Sequence, residues 1–94
     1  MHARVVRFTD VTPDRIDEIV KRVEESEGPP PGVPSVGFQL VFDESQGTAV
    51  FVGLFETDEK LREGAVALEQ MDATETPGTR ASVDMGELKI ERRV

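Results

Sequence analysis

Hydrophobic periodicity along these 94 residues changes in an order that predicts an α+β fold, β-α-β-β-α-β, with one four-stranded antiparallel sheet carrying two helices on one face. Three observations carry the prediction. Strand-like spacing of apolar residues covers 3–8, 35–42 and 48–55, and helical spacing covers 16–23 and 61–68. A short polar loop ending in glycine, Asp43-Glu44-Ser45-Gln46-Gly47, joins the second strand to the third as a hairpin requires. The stretch from Thr48 to Leu61 opens as the most continuously apolar run in the chain and passes directly into a helix start, which marks a central strand.

The first strand, residues 3–8, divides His2, Arg4, Val6 and Phe8 from Ala3, Val5 and Arg7. Neither set is wholly polar, so the strand is expected in the interior of the sheet, with its charged members near a cavity or an interface. Thr12, Pro13 and Asp14 then supply an N-cap, a proline at the first helical position and a first-turn acid. Ile16, Ile19, Val20 and Val23 form one apolar stripe, and Asp17 to Lys21 and Glu18 to Arg22 are spaced for favourable ion pairs. Gly28 is the expected stop.

Pro29-Pro30-Pro31-Gly32-Val33-Pro34 lacks the amide donors of a helix or central strand and reads as a stiff connector, with a ligand for a proline-recognising domain as the alternative. In strand two, Val36, Phe38, Leu40 and Phe42 alternate with Gly37, Gln39 and Val41. In strand three, Val50, Val52 and Leu54 oppose Ala49, Phe51, Gly53 and Phe55, so both faces are expected to be buried. Thr57 caps the second helix, whose stripe is Leu61, Ala65, Leu68 and Met71 or Asp72. Gly64 inside it costs about 1 kcal/mol relative to alanine, either as a plain tolerated glycine or because something approaches closely. After a turn at residues 74–78, a last strand over 80–94 changes phase between Ala81, Val83, Met85 and Leu88, Ile90, with a bulge expected at Gly86. A strand of that length is expected to reach past its own subunit.

A chain of this size forms one domain, residues 1–94, and buries only roughly 60 to 65 % of its unfolded surface, so an oligomer is favoured. Since two helices cover one face of the sheet, a second copy is expected over the other, giving a homodimer through the open sheet face and the C-terminal strand. Nineteen acidic against eleven basic residues give a net charge of -8, which disfavours nucleic acid and anionic membranes as partners. No apolar run approaches the ~18 residues of a membrane span, and the start lacks the apolar core of a signal peptide, so a soluble cytoplasmic protein is expected. The absence of cysteine removes disulfides, thiolate nucleophiles and zinc-thiolate sites.

With these elements placed, the chain resembles the antibiotic-biosynthesis-monooxygenase-like group of the dimeric α+β barrel superfamily, whose subunits are ferredoxin-like. The resemblance rests on His2-Ala3-Arg4-Val5, Pro31-Gly32-Val33, Gly47-Thr48-Ala49, Phe55-Glu56-Thr57-Asp58-Glu59 and Ser82-Val83-Asp84, in that order and spacing. It implies a homodimer with an apolar pocket between helices and sheet in each subunit. Some members oxidise polycyclic aromatic substrates without metal or flavin, and others bind and degrade haem. The asparagine, tryptophan and tyrosine side chains those activities lean on do not occur in this sequence, and Phe55 stands where the family pattern has tryptophan.

No metal or cofactor is expected, because one histidine with scattered carboxylates does not make a transition-metal site. His2 is a candidate general base or substrate contact if it faces the pocket, against a role in surface or interface packing. Arg4 is a candidate for an anionic substituent, against a structural ion pair. Phe38, Phe51 and Phe55 are candidates for the wall of a cavity holding an apolar or aromatic molecule, against plain core packing. The four serines occupy no nucleophile elbow and no phosphate loop is present, which removes hydrolytic and nucleotide chemistry. Two functions remain: a homodimer binding a small apolar molecule, and a cofactor-independent oxygenase or isomerase acting on a phenolic or polyketide-like substrate.

Overall fold

The computed structural model describes residues 1–70 and 76–93. Its elements are β1 (His2–Thr9), α1 (Pro13–Glu25), β2 (Gly37–Asp43), β3 (Thr48–Phe55), α2 (Asp58–Glu69) and β4 (Thr79–Glu87). The four strands form one antiparallel sheet in the order β2-β3-β1-β4, the expected ferredoxin-like arrangement.

Both helices begin where their caps place them. The Thr12 hydroxyl accepts from the Arg15 amide at 3.2 Å and the Thr57 hydroxyl from the Lys60 amide at 3.1 Å, each satisfying one donor that the first turn leaves free. The hairpin between β2 and β3 is held by Asp43, whose carboxylate accepts from the Ser45 hydroxyl at 2.6 Å and the Gln46 amide at 3.2 Å. Gly47 closes it with φ of 67°, a left-handed conformation that side chains resist.

Facing residues of paired strands lie on the same side, so the register sorts the sheet into transverse rows. Leu40, Phe51, Val6 and Val83 form one row on the helix side, and Phe42, Ala49 and Phe8 form the next. Val11 and Ile16 pack on these rows to make the first core cluster. At the other end of the sheet Phe55 joins Leu61 of α2 and Val33 of the proline-rich connector in a second cluster, with Ala67 and Leu68 against it. Between the two runs the row Phe38, Gly53, Arg4 and Met85.

The opposite face carries Val41 from β2, Val50, Val52 and Leu54 from β3, and Ala3 and Val5 from β1. No described helix covers it, and Val41 is 59 % exposed. The central strand is therefore apolar toward both sides but not buried on both as expected, since Val50, Val52 and Leu54 on the open face are only partly buried.

Several boundaries differ from expectation, each for a physical reason. Helix α1 ends at Glu25, before Gly28, because the Ser26 hydroxyl and amide both donate to the Val23 carbonyl and close the last turn. Only the first half of its apolar stripe is covered: Ile16 and Ile19 are buried, while Val20 and Val23 are exposed. Arg15 takes the Glu18 carboxylate at 2.8 Å in place of Arg22.

Strand β4 ends at Glu87, short of the expected 94, since its partner β1 begins at His2 opposite that residue. Beyond it a hydrogen bond from the Leu88 amide to the Met1 carbonyl remains. The bulge lies at Ala81 and not at Gly86, which pairs in register with Ala3. Arg7 faces Ser82 and Phe8 faces Arg80, leaving Ala81 as the extra residue, so Arg80 shares the helix side with Val83 and Met85. The expected continuation of α2 through Met71 or Asp72, and the first part of the following turn, lie outside the described residues.

Candidate functional site

Among the described residues, the middle row of the sheet is the one place on the helix side where a charged side chain is buried. Arg4 sits there because strand alternation puts it on the same face as Val6 and Phe8, two of the best-buried residues in the chain. Its side chain is only 9 % exposed. A guanidinium so placed needs compensation from hydrogen bonds and opposite charge.

Compensation comes from α2. Arg4 Nη2 donates to Glu69 Oε1 at 3.2 Å, and Arg80 Nη1 donates to the same oxygen at 2.5 Å. Glu69 is the last residue of α2 and half exposed, whereas Arg80 reaches it because the Ala81 bulge turns it to this side. Two guanidiniums thus converge on a single carboxylate oxygen. Burial pushes the Arg4 pKa below that of an ordinary guanidinium, opposed by the hydrogen bond and charge of Glu69. The Arg80 hydrogen bond, with Arg4 adding to it, holds the Glu69 carboxyl below its ordinary value.

The fork of Arg4 is half used. Its Nε is buried and has no hydrogen-bond acceptor among the described residues. Nε and Nη2 form one edge of the guanidinium, the edge that a carboxylate binds with two parallel hydrogen bonds. Glu69 meets a single donor of that edge. His2, two residues earlier on the same face, repeats the pattern: its Nδ1 is buried without a partner among the described residues, and its row-mates are Phe55 and Glu87.

The three candidate aromatic residues separate into different environments. Phe55 is 1 % exposed and belongs to the second core cluster. Phe51 is half-buried between Phe8, whose ring meets it edge-on at a centroid distance of 5.5 Å, and Phe38, tilted at 5.5 Å. Phe38 is 47 % exposed at the β2 edge of the row. The structure therefore brings Phe38 and Phe51 together on the sheet surface and places Phe55 apart, under α2. Val36, Val20 and Val23 are the other exposed apolar side chains of β2's approach and of α1. A separate depression of about 240 Å³ is lined by Gly32, Val33, Pro34 and Glu63 and touches none of the three rings.

Glu69 and Arg80 complete the site and were not legible as its members. They lie 65 and 76 positions beyond Arg4, and Arg80 depends on a bulge that parity alone does not locate. Among the described residues no three histidine or carboxylate side chains converge in a way that could hold a metal ion, and no helix is long and apolar enough to cross a membrane. Comparison of the chain with models of known protein families gives no match, and comparison with curated proteins finds no significantly similar sequence.

Proposed function

We propose that the protein is a cytoplasmic homodimer that binds a small apolar or aromatic molecule between its helices and its sheet. The observation that carries this reading is the incomplete cover of the helix side. Phe38, half exposed on a row that splits the core in two, stands where apolar surface continues without a described side chain to bury it. The open sheet face supports the dimer, because Val41, Val50, Val52 and Leu54 present an apolar surface that a second copy would remove from water. The resemblance to the dimeric α+β barrel proteins fits the same arrangement. A thermal-shift screen with aromatic, quinone and lipid-like compounds tests the reading. Stabilisation by members of one apolar class is expected, and no stabilisation by any of them would overturn it.

A second reading, a cofactor-independent oxygenase or isomerase of the antibiotic-biosynthesis-monooxygenase type, is supported by the paired orphan nitrogens, His2 Nδ1 and Arg4 Nε. In it the site desolvates a phenolic or enolic substrate, His2 takes the proton, and Arg4 stabilises the anion. A His2→Ala, Arg4→Ala double variant that turns over an identified substrate at the wild-type rate would rule those roles out.

A further inference from the structure

We propose that the Arg4 fork is a carboxylate-binding site in which Glu69 acts as a placeholder, so that the molecule bound between helices and sheet is an organic acid. This rests on the binding reading above and specifies its ligand class.

The argument starts from the mismatch between the two partners. Arg4 is fixed, with its side chain more than nine-tenths buried in a sheet row. Glu69 is the less confined partner, half exposed at the C-terminal end of a helix, where a carboxylate opposes the helix dipole. It uses one oxygen on one donor, and the adjacent Nε–H is left without an acceptor among the described residues. A planar carboxylate placed on the Nε/Nη2 edge would satisfy both donors, and the charge-assisted bond it adds is stronger than a neutral one.

Charge balance points the same way. Arg4 and Arg80 together carry one positive charge more than Glu69 neutralises. Displaced, Glu69 can turn to water at small cost because it already faces it, while a ligand carboxylate takes its place between the arginines. The acidic average of the chain does not prevent this, since fields from more distant exposed charges are screened beyond about 8 to 10 Å in physiological salt. Phe38 and Phe51 lie on the same side of the sheet as Arg4, with Phe38 in its own row, and supply apolar surface for the body of such an acid.

Calorimetry on the full chain with 1-naphthoate, its uncharged analogue 1-naphthamide, and benzoate tests the proposal. Naphthoate is expected to bind at least about tenfold more tightly than naphthamide, the worth of one charge-assisted hydrogen bond. Glu69→Gln, which removes the competing charge at a half-exposed position, should raise naphthoate affinity several-fold. Arg4→Lys keeps the charge but not the fork and should abolish the preference, and Arg80→Gln is a control if the Arg4 variant folds poorly. Equal binding of naphthoate and naphthamide, or no change in Glu69→Gln, overturns the carboxylate site while leaving an apolar pocket standing. Equal binding of benzoate and naphthoate supports the carboxylate site and removes the apolar pocket. Binding of none of the three by either protein overturns both.

Discussion

The Phe55 ring lies so close to Gly64 that no methyl group fits between them: a Cβ built on Gly64 stands 2.5 Å from Cε1 and 2.9 Å from Cζ of the ring. The helix glycine is therefore a packing requirement, which lets α2 settle onto β3 over a fully buried aromatic. Gly64→Ala should lose about 1 to 2 kcal/mol of stability, because overpacking outweighs the roughly 1 kcal/mol gain in helix propensity. Phe55→Leu in the same chain should recover part of that loss, so the double variant is less destabilised than the sum of the singles. Urea unfolding of the four proteins measures it, and additive losses would show that the contact is not the cause.

The Glu69 carboxyl is held below its ordinary value by Arg80 and then Arg4, so its contribution has a defined pH window. A depressed folded pKa makes the contribution complete above the unfolded value, near about pH 4.3, and loses it as pH falls through the folded value below that. Asp43 and Asp58 are shifted in the same direction by their own hydrogen bonds and fade in parallel. The stability gap between wild type and Glu69→Gln isolates Glu69, and it should be constant from neutral pH to about pH 5 and narrow below that. A gap unchanged down to pH 3 would remove the arginine pair as its source.

The two caps offer a direct check on how the helices start. Thr12→Ala and Thr57→Ala should each cost about 1 kcal/mol, since each removes an acceptor for a first-turn amide. Chemical denaturation reads the loss. Serine at either position should restore most of it, and a serine variant as weak as alanine would locate the effect in the threonine methyl instead.

If the proposed homodimer forms, sedimentation at micromolar concentration should give twice the subunit mass for wild type. Val52→Asp places an unpaired carboxylate in the centre of the open face and should raise the dissociation constant at least about a hundredfold while leaving the far-UV circular dichroism intact. A wild-type protein that sediments as a folded monomer would refute the interface.

What could be read from the sequence follows from which signals are local. Thr12-Pro13-Asp14 and Thr57-Asp58-Glu59 act within one turn, and both helices begin there. The alternation over Thr48–Phe55 fixed a strand with the same limits in the structure, and Gly47 took the left-handed conformation its loop demands. Signals that depend on a partner elsewhere mislead. Gly86 looked like a bulge because the parity of the apolar residues changes near it, but β4 has already left the sheet when Leu88 and Ile90 arrive, and Ile90 is 81 % exposed. Spacing pairs Arg22 with Glu18, but Arg15 competes successfully from the preceding turn while also donating to the Thr76 carbonyl. Of the site, Arg4 and His2 were recognisable as unusual residues on a partly apolar strand. Their orphan nitrogens, and the meeting of Arg4 with Glu69 and Arg80, arise only when three distant segments are packed together.

The bulge at Ala81 settles more than the twist of an edge strand. Were the bulge ironed out with every residue kept, Ala81 would take the place opposite Phe8, and Arg80, moved opposite Thr9, would be handed to the other surface of the sheet. Glu69 would keep one arginine, and the face opposite the helices would gain a second arginine near Arg7. The register of β4, more than the identity of its residues, thus decides on which side of a four-stranded sheet a charge resides, and a slip of one residue would rewrite the arginine pair around Glu69 and the charge of the opposite face together.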